Sequence, residues 1–560
     1  MNKRYIFIVI FICLIITCGV LFFFHKKNLD ANVNSITYDE EKYDDDFNDY
    51  EELAVDLDKV DELYTVSKGG VYHFTGTLKG YVSINTSDKV KIILDNVLIT
   101  NENGPCIYVD DAKMLYIELV GESTLTDGGE YTNFDDEVNG AIYSKDDLIL
   151  FGSGTLNVNA NYQDGIVSKD DLVIKSGTYI IKSADDGIRG KDSVTILDGT
   201  FQIDASGDGI KTSNETDTTK GNILIQGGNF TITSVNDAVE AKNSIQIDTG
   251  TFHLVTGGGA QVTSTSNNWG NWGGNSKSTD TASAKGLKAN GSILIHDIIL
   301  DASTSDDTIH SNSVIEINGG SYTISSGDDG IHADSTITIN QGTIDIKQSY
   351  EGIEANVITI NDGDISVVAS DDGINIGGGN DSSAENRPGS NTYASTADSN
   401  LKLTINGGNV YVNATGDGLD SNGYISMTGG NVIVDGPTSD GDGALDYDGA
   451  FDLTGGTLIA AGSSGMMQNL TSSAQGAILI YFTNSQSAGT TVTIGNDITY
   501  TSSKQFSCIL VSSPSLKVGD SYQVKINGEV YQEFTLTNTI STLGTGSRNG
   551  MGGNPRGGRR

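Results

Sequence analysis

One short phrase, two acids followed by glycine and isoleucine, keeps returning along this chain. It stands as Asp185-Asp186-Gly187-Ile188, Gly207-Asp208-Gly209-Ile210, Asp306-Asp307-Thr308-Ile309 and Asp328-Asp329-Gly330-Ile331, and nearly in step as Asp371-Asp372-Gly373-Ile374. Within each pair of neighbours the offset is 22 residues. A unit that short cannot bury an apolar face alone, so the repeat predicts a stack of equivalent coils in which each covers the next.

Each coil has the same internal order. A short alternating stretch such as Val194-Thr195-Ile196 or Ile337-Thr338-Ile339 leads to a glycine turn, as at Gly199, Gly250 or Gly342. A second alternating stretch follows, as in Phe201-Gln202-Ile203 or Ile344-Asp345-Ile346. Period-two alternation over so few residues indicates strands with one face inward, and the isoleucine after the acidic glycine supplies a third. The spacing predicts an all-β chain: a right-handed parallel β-helix, three strands and about 22 residues per rung, over residues 61–465. Loop insertions are expected near 112–138, 257–282 and 377–400, with a small antiparallel β capping domain over 466–540 and a disordered Gly/Arg tail over 541–560. A propeller blade needs about 40 residues and a leucine-rich repeat needs a helical half; neither pattern is present. The 70 glycines and five prolines suit a chain made largely of turns and short strands.

The N-terminus has a different character. Tyr5 to Phe24 is an unbroken apolar run between Lys3-Arg4 and His25-Lys26-Lys27, long enough to span a bilayer as a helix. Residues 1–27 are therefore expected to be an uncleaved membrane anchor holding the body at the extracellular face, with a cleaved export signal as the alternative. Residues 28–60, including Tyr38-Asp39-Glu40-Glu41-Lys42-Tyr43-Asp44-Asp45-Asp46, read as an acidic spacer. A formal net charge of -40 excludes nucleic acid and anionic membrane surfaces as natural partners. Only Cys106 and Cys508 lie outside the apolar run, so disulfides do not hold this fold together. A capped stack needs no partner, and a monomer is expected.

Strands in neighbouring coils lie about 4.8 Å apart, so acids at one repeated position form a column. Like charges at that spacing either raise their pKa values or require a counter-ion. Calcium, with six to eight oxygen ligands, fits carboxylates beside open carbonyls. The metal ligands expected are Asp185, Asp186, Asp208, Asp306, Asp307, Asp328, Asp329, Glu351, Glu354, Asp371, Asp372, Asp417 and Asp420, holding several calcium ions. The competing reading makes these acids Asx-turn residues bonded to their own backbone. His310 and His332 occupy one position in successive coils and are expected to stack as a polar surface ladder. Zinc has no Cys/His cluster to support it.

Outside the acids, Trp269 and Trp272 sit in a polar loop, where an aromatic platform for a sugar ring competes with a small apolar cluster pinning the loop. Arg189 is the one arginine within the regular coils. A catalytic base or a clamp on a sugar carboxylate is one role for it, and a surface charge beside its own acidic turn is the other.

With the segment Leu458-Ile459-Ala460-Ala461-Gly462-Ser463-Ser464-Gly465-Met466 and the β segments behind it, these acidic glycine turns resemble a bacterial family of carbohydrate-binding β-helix proteins. That family is typified by a clostridial cell-surface protein that binds acidic polysaccharide, and its shape is similar to that of pectate lyases. The resemblance covers roughly 58 to 538. It implies bound calcium at the acid-rich turns and affinity for acidic (polyuronate-type) or cellulosic plant cell-wall polysaccharide. The function expected first is calcium-dependent carbohydrate binding at the cell surface. A structural surface protein or adhesin stiffened by calcium comes second, and a calcium-dependent pectate-lyase-like enzyme with Arg189 as its base third; a non-enzyme is favoured.

Overall fold

A computed structural model describes residues 33, 35–44, 46–261, 283–377 and 397–546. The chain divides into Met1–Ile36 and Thr37–Arg560, and the following account concerns the second unit. Among the described residues the one helix is a 3₁₀ turn, Leu57–Lys59.

Repeat-equivalent strands pair in parallel and in register. Thr178–Ser183 pairs with Thr200–Ala205, and that strand with Asn229–Ser234, each residue opposite its counterpart one coil on. Inward positions make apolar ladders, such as Ile188, Ile210, Val239 and Leu287, all fully buried. Tyr179, Phe201, Phe230 and Phe252 stack face to face at centroid distances of 5.1, 4.7 and 4.6 Å, a spacing set by the strand separation. Glycine is required at two kinds of position. Gly228 has φ +119 and the Phe230 ring would lie 3.1 Å from an added Cβ, while at Gly187 a Cβ would stand 2.6 Å from the Gly209 carbonyl oxygen of the next coil.

The expected open right-handed β-helix with three separate strands per rung is corrected by the connectivity. The coil strands belong to one 44-stranded, mostly parallel sheet closed around a single apolar core, with many strands beyond the repeating set. The physical reason is that some strands are much longer than the repeat predicts, one of them running unbroken through Gly250, a glycine at the turn position of the repeat. Lys89–Thr100, Ile245–Thr256 and Ile293–Thr304 are each 12 residues long, so strand structure continues around the corner. The C-terminal strands are divided between this sheet and a second, antiparallel one. Thr457–Gly462 pairs with Phe506–Ser512 antiparallel, Ala477–Gln486 pairs with Ile540–Leu543 parallel, and all four lie in the large sheet. A second sheet contains only Thr491–Ile494, Ile498–Thr501, Ser521–Ile526 and Glu529–Thr535.

The membrane-anchor expectation is also corrected. Among the described residues no helix is long and apolar enough to cross a membrane, and residues 1–27 lie outside those described. Neither an anchored location nor a membrane contact is carried further. Within Thr37–Arg560, Tyr43 and Phe47 are buried against Tyr116, Ile149 and Val173, and Lys42 meets Asp171 at 2.6 Å and Asp147 at 3.3 Å.

Candidate functional site

The acid before each turn glycine does one thing repeatedly: a carboxylate oxygen accepts the backbone N–H of the equivalent residue one coil on. Asp164 accepts from Asp186, Asp186 from Asp208, Asp208 from Asp237 and Asp237 from Lys285. The line resumes from Asp307 to Asp329 to Glu351, and from Asp372 to Asp417 to Gly443, all at 2.5 to 3.1 Å. These are Asx-type bonds, but between coils rather than within one turn. They engage one oxygen of each acid and leave the other.

What meets that second oxygen changes along the stack. The residue three positions after the acid forms its own in-register column, reading Val167, Arg189, Lys211, Glu240, Lys288, His310, His332, Glu354, Asn375, Asp420 and Asp446. In the first half this column is mostly basic. Arg189 meets Asp164 at 2.8 Å and Asp186 at 3.8 Å. Lys211 contacts Asp208 and reaches Glu240 at 3.2 Å, and Lys288 meets Asp237 at 2.9 Å. Lys285, which replaces the acid itself, lies 2.7 Å from Asp307 and 2.8 Å from Asp306. Asp185 lies beside Asp164 and Asp186.

The histidines mark the transition. Nδ1 of His310 is 2.8 Å from Asp307, and Nδ1 of His332 is 3.0 Å from both Asp329 and Glu354. Their rings stack at 5.0 Å, but both are almost wholly buried, which corrects the surface ladder expected for them. Burial disfavours the charged imidazole of His332, yet the carboxylates of Asp329 and Glu354 win and raise it to about 11. Asp328 stands in the same coil and adds negative charge beside Asp329.

Beyond this point the second column holds Glu354, Asn375, Asp420 and Asp446, without a cation. Among the described residues, none of Glu351, Asp371, Asp372, Asp417, Asp420 and Asp446 has a basic side chain at ion-pair distance. Burial, with repulsion from Asp371 and Asp420, pushes Asp372 up to about 9. Burial and the neighbouring Asp417 and Asp446 push Asp420 up to about 8. Glu351 is raised well above the ordinary carboxylate range by burial and by Asp329 and Glu354. Among these acids stands Asn375, buried, whose Nδ2 donates to Glu351 at 2.7 Å and whose Oδ1 has no hydrogen-bond partner. An orphaned buried amide oxygen amid uncompensated carboxylates is a hard-oxygen donor set, fitting a hard divalent cation.

Several buried acidic and acid–histidine clusters could coordinate a divalent metal ion, including Asp307/His310/His332, Asp329/His332/Glu354 and Asp208/Asp237/Glu240. In these three, Lys285, His332 and Lys211 already supply the positive charge. Charge accounting selects the other end. The column of acids was readable from the glycine turns; Lys285, Lys288 and Asn375 were missed. Counting from those same glycines would have placed Lys285 and Lys288 in the acid positions and Asn375 between Glu354 and Asp420. Trp269 and Trp272 lie outside the described residues.

Comparison with known proteins agrees with a carbohydrate-binding lineage. The family described as carbohydrate-binding domain-containing protein matches residues 60–330 and 328–373, more than half of the chain. A carbohydrate-binding domain-containing protein of Acetivibrio thermocellus is 34% identical over 143 residues, which is 23% of this chain and 50% of the relative. The chain thus spans about half the length of that curated relative. A solved structure titled a polysaccharide lyase-like protein from C. thermocellum, a gadolinium derivative, aligns at 33% identity with a TM-score of 0.36, covering 37% of this chain and 91% of that one. By the extent of the family match, this chain belongs to the carbohydrate-binding domain-containing proteins.

Proposed function

We propose that the chain is a calcium-stiffened carbohydrate-binding protein and not an enzyme. The ion would occupy the end of the acid ladder from Glu351 to Asp446. The observation that carries this reading is the change in the second column from Arg189, Lys211 and Lys288 to Asn375, Asp420 and Asp446. One half supplies its own positive charge and the other requires it from outside. Calcium suits the donor set because the ligands are carboxylate and amide oxygens without thiolate or imidazole. Asp372, Asp417 and Asp420 would hold it, with Asn375 Oδ1 as the neutral ligand. Joining acids from successive coils, the ion would act first as a tie between them.

A second role rests on a separate observation: Asp371, Asp417, Asp420 and Asp446 are half-buried, with one side toward solvent. Outward coordination positions would let the ion accept the carboxylate of a polyuronate that the protein's own charge repels. The lyase reading is weaker. Arg189 is engaged by Asp164 and Asp186 and stands seven strand spacings from Asn375, roughly 34 Å away, so it is no free base beside the ion.

The test is a calcium titration of the chelated full chain, followed by calorimetry and thermal melting, against Asp372→Asn with Asp420→Asn. Calcium should raise the melting temperature of the parent by several degrees and that of the double variant far less. Equal stability of the parent with calcium and with chelator would overturn the proposal.

A further inference from the structure

We infer that the histidine coils carry a second metal site, apart from the calcium end of the ladder, in which Asp329, His332 and Glu354 hold a transition-metal dication. The inference rests neither on calcium nor on carbohydrate. Nδ1 of His332 lies 3.0 Å from an Asp329 oxygen and 3.0 Å from a Glu354 oxygen, and the three ligand atoms all lie within 4.8 Å of one another. Adjacent ligand atoms of a six-coordinate ion with bonds of about 2.1 Å are roughly 3.0 Å apart, whereas calcium, with bonds of about 2.4 Å, spreads them to roughly 3.4 Å. One imidazole with two carboxylates is also a donor set for a transition metal rather than for calcium.

The far side of the ring supplies an independent sign. Nε2 of His332 is buried and has no hydrogen-bond partner, and an acid oxygen, Oδ1 of Asp334, stands 3.5 Å away. A histidine that ligates through one ring nitrogen carries its proton on the other, and almost always turns it toward a carboxylate, a carbonyl or a water. Ligation through Nδ1 would put that proton on Nε2 facing Asp334, so the unpaired nitrogen gains its partner when the ion binds. Two residues after the column position, the coils on either side carry Asn312 and Asn356 where this coil has Asp334. His310 shows the arrangement that needs no metal. Its Nε2 is 2.8 Å from Oδ1 of Asn312, and its Nδ1 faces Asp307, which Lys285 already meets.

Charge calls for more than the proton His332 now holds. That single imidazolium serves Asp329 and Glu354, while Asp328 repels Asp329, and Glu351 is repelled by Asp329 and Glu354. A dication in the proton's place doubles the compensating charge. His332 is almost wholly buried and Glu354 half-buried, so the ion enters on the Glu354 side and waters complete its shell. Asp329 and Glu354 come from successive coils, and the ion ties them together. The ladder would then sort two classes of cation by donor chemistry, imidazole with carboxylate here and oxygen alone beyond.

Equilibrium dialysis of the full chain against cobalt(II) in a large excess of calcium, with bound metal read by elemental analysis, tests the site. The parent should retain a cobalt ion that His332→Gln loses, and X-ray absorption at the cobalt edge should show an imidazole nitrogen. Glu354→Gln, at the half-buried position, should weaken retention at least as much as Asp334→Asn. That positioning change should weaken it by roughly ten- to a hundredfold, the usual effect of an outer partner of a ligating histidine, and leave the imidazole signal in the cobalt-loaded fraction. His253→Gln, an exposed histidine outside the site, should change nothing. Where His332→Gln fails to fold, as judged by melting in calcium, Glu354→Gln decides. Cobalt retained equally by the parent and by Glu354→Gln would overturn the proposal. So would an oxygen-only absorption spectrum, or cobalt displaced by calcium in proportion to its concentration, which would place the ion among the carboxylates alone.

Discussion

Asp372 and Asp420 hold protons at neutral pH in the metal-free chain, because burial raises the first to about 9 and the second to about 8 and neighbouring acids add to both. An unfolded aspartate titrates near 3.9. Between roughly pH 4 and the folded values the folded state therefore binds more protons, and stability falls as pH rises. Calcium reverses this, since it takes the ionised carboxylates and releases their protons. We predict that the chelated chain melts several degrees higher at pH 5 than at pH 8, while the increment from added calcium is larger at pH 8. Melts at the two pH values, each with chelator and with calcium, check both orderings; a chelated chain more stable at pH 8 would remove the protonated carboxylates from the account. At this scale the acid column was legible because most of its acids directly precede a glycine. Its neutralisation was missed, because Lys285 takes the acid's own position one coil earlier while His310 and His332 reach the carboxylates from three residues further on. Nothing in an Asp-Asp pair distinguishes Asp307, held below the usual carboxylate range against burial by Lys285 and His310, from Asp372.

The strand segments between Thr178 and Thr256 share one internal device, the stack Tyr179, Phe201, Phe230 and Phe252. Phe230 lies between two rings with interplanar angles of 2° and 4°, so truncation leaves a void bounded by aromatic faces on both sides. Phe230→Ala should cost about 3–5 kcal/mol and Phe230→Leu distinctly less, as read from denaturant unfolding of the calcium-loaded chain. Equal losses would show that the stack is ordinary apolar filling. These segments were legible from alternation alone, since Phe201, Ile203, Phe230 and Ile232 point inward and Gln202 and Thr231 outward. Their continuity was not. Gly250 read as a turn, yet it lies inside the unbroken strand Ile245–Thr256 with φ +143. Its partner one coil on is Ile298, with no glycine at all. A local breaker signal was overridden by pairing with the unbroken strand Ile293–Thr304 one coil on.

Across the whole molecule the acid ladder is polar from end to end, and this asymmetry should appear in how the protein opens. In a stack whose coils touch mainly their neighbours, stability is a sum of local terms, so loss of an ion from one region need not loosen the rest. Coils from Asp164 to Glu354 carry Arg189, Lys211, Lys285, Lys288, His310 and His332 as built-in counter-ions. Coils from Asp371 to Asp446 must protonate their acids or bind a cation. Hydrogen exchange followed by mass spectrometry, with calcium and after chelation at pH 8, resolves the two halves. Chelation should strip protection from strands Ile374–Ile376, Leu419–Ser421 and Leu445–Tyr447, while Ile188–Gly190 and Ile210–Thr212 keep theirs. A uniform loss along the stack would mean that the single closed sheet transmits the change throughout, making cooperativity of the sheet rather than local charge the governing quantity. Unchanged protection in both halves would mean that proton uptake by Asp372 and Asp420 suffices to hold the acidic coils. The sequence displays the repeat that makes local behaviour expected, but the strands that run unbroken around the corner argue for transmission, and exchange measured coil by coil shows which of the two dominates.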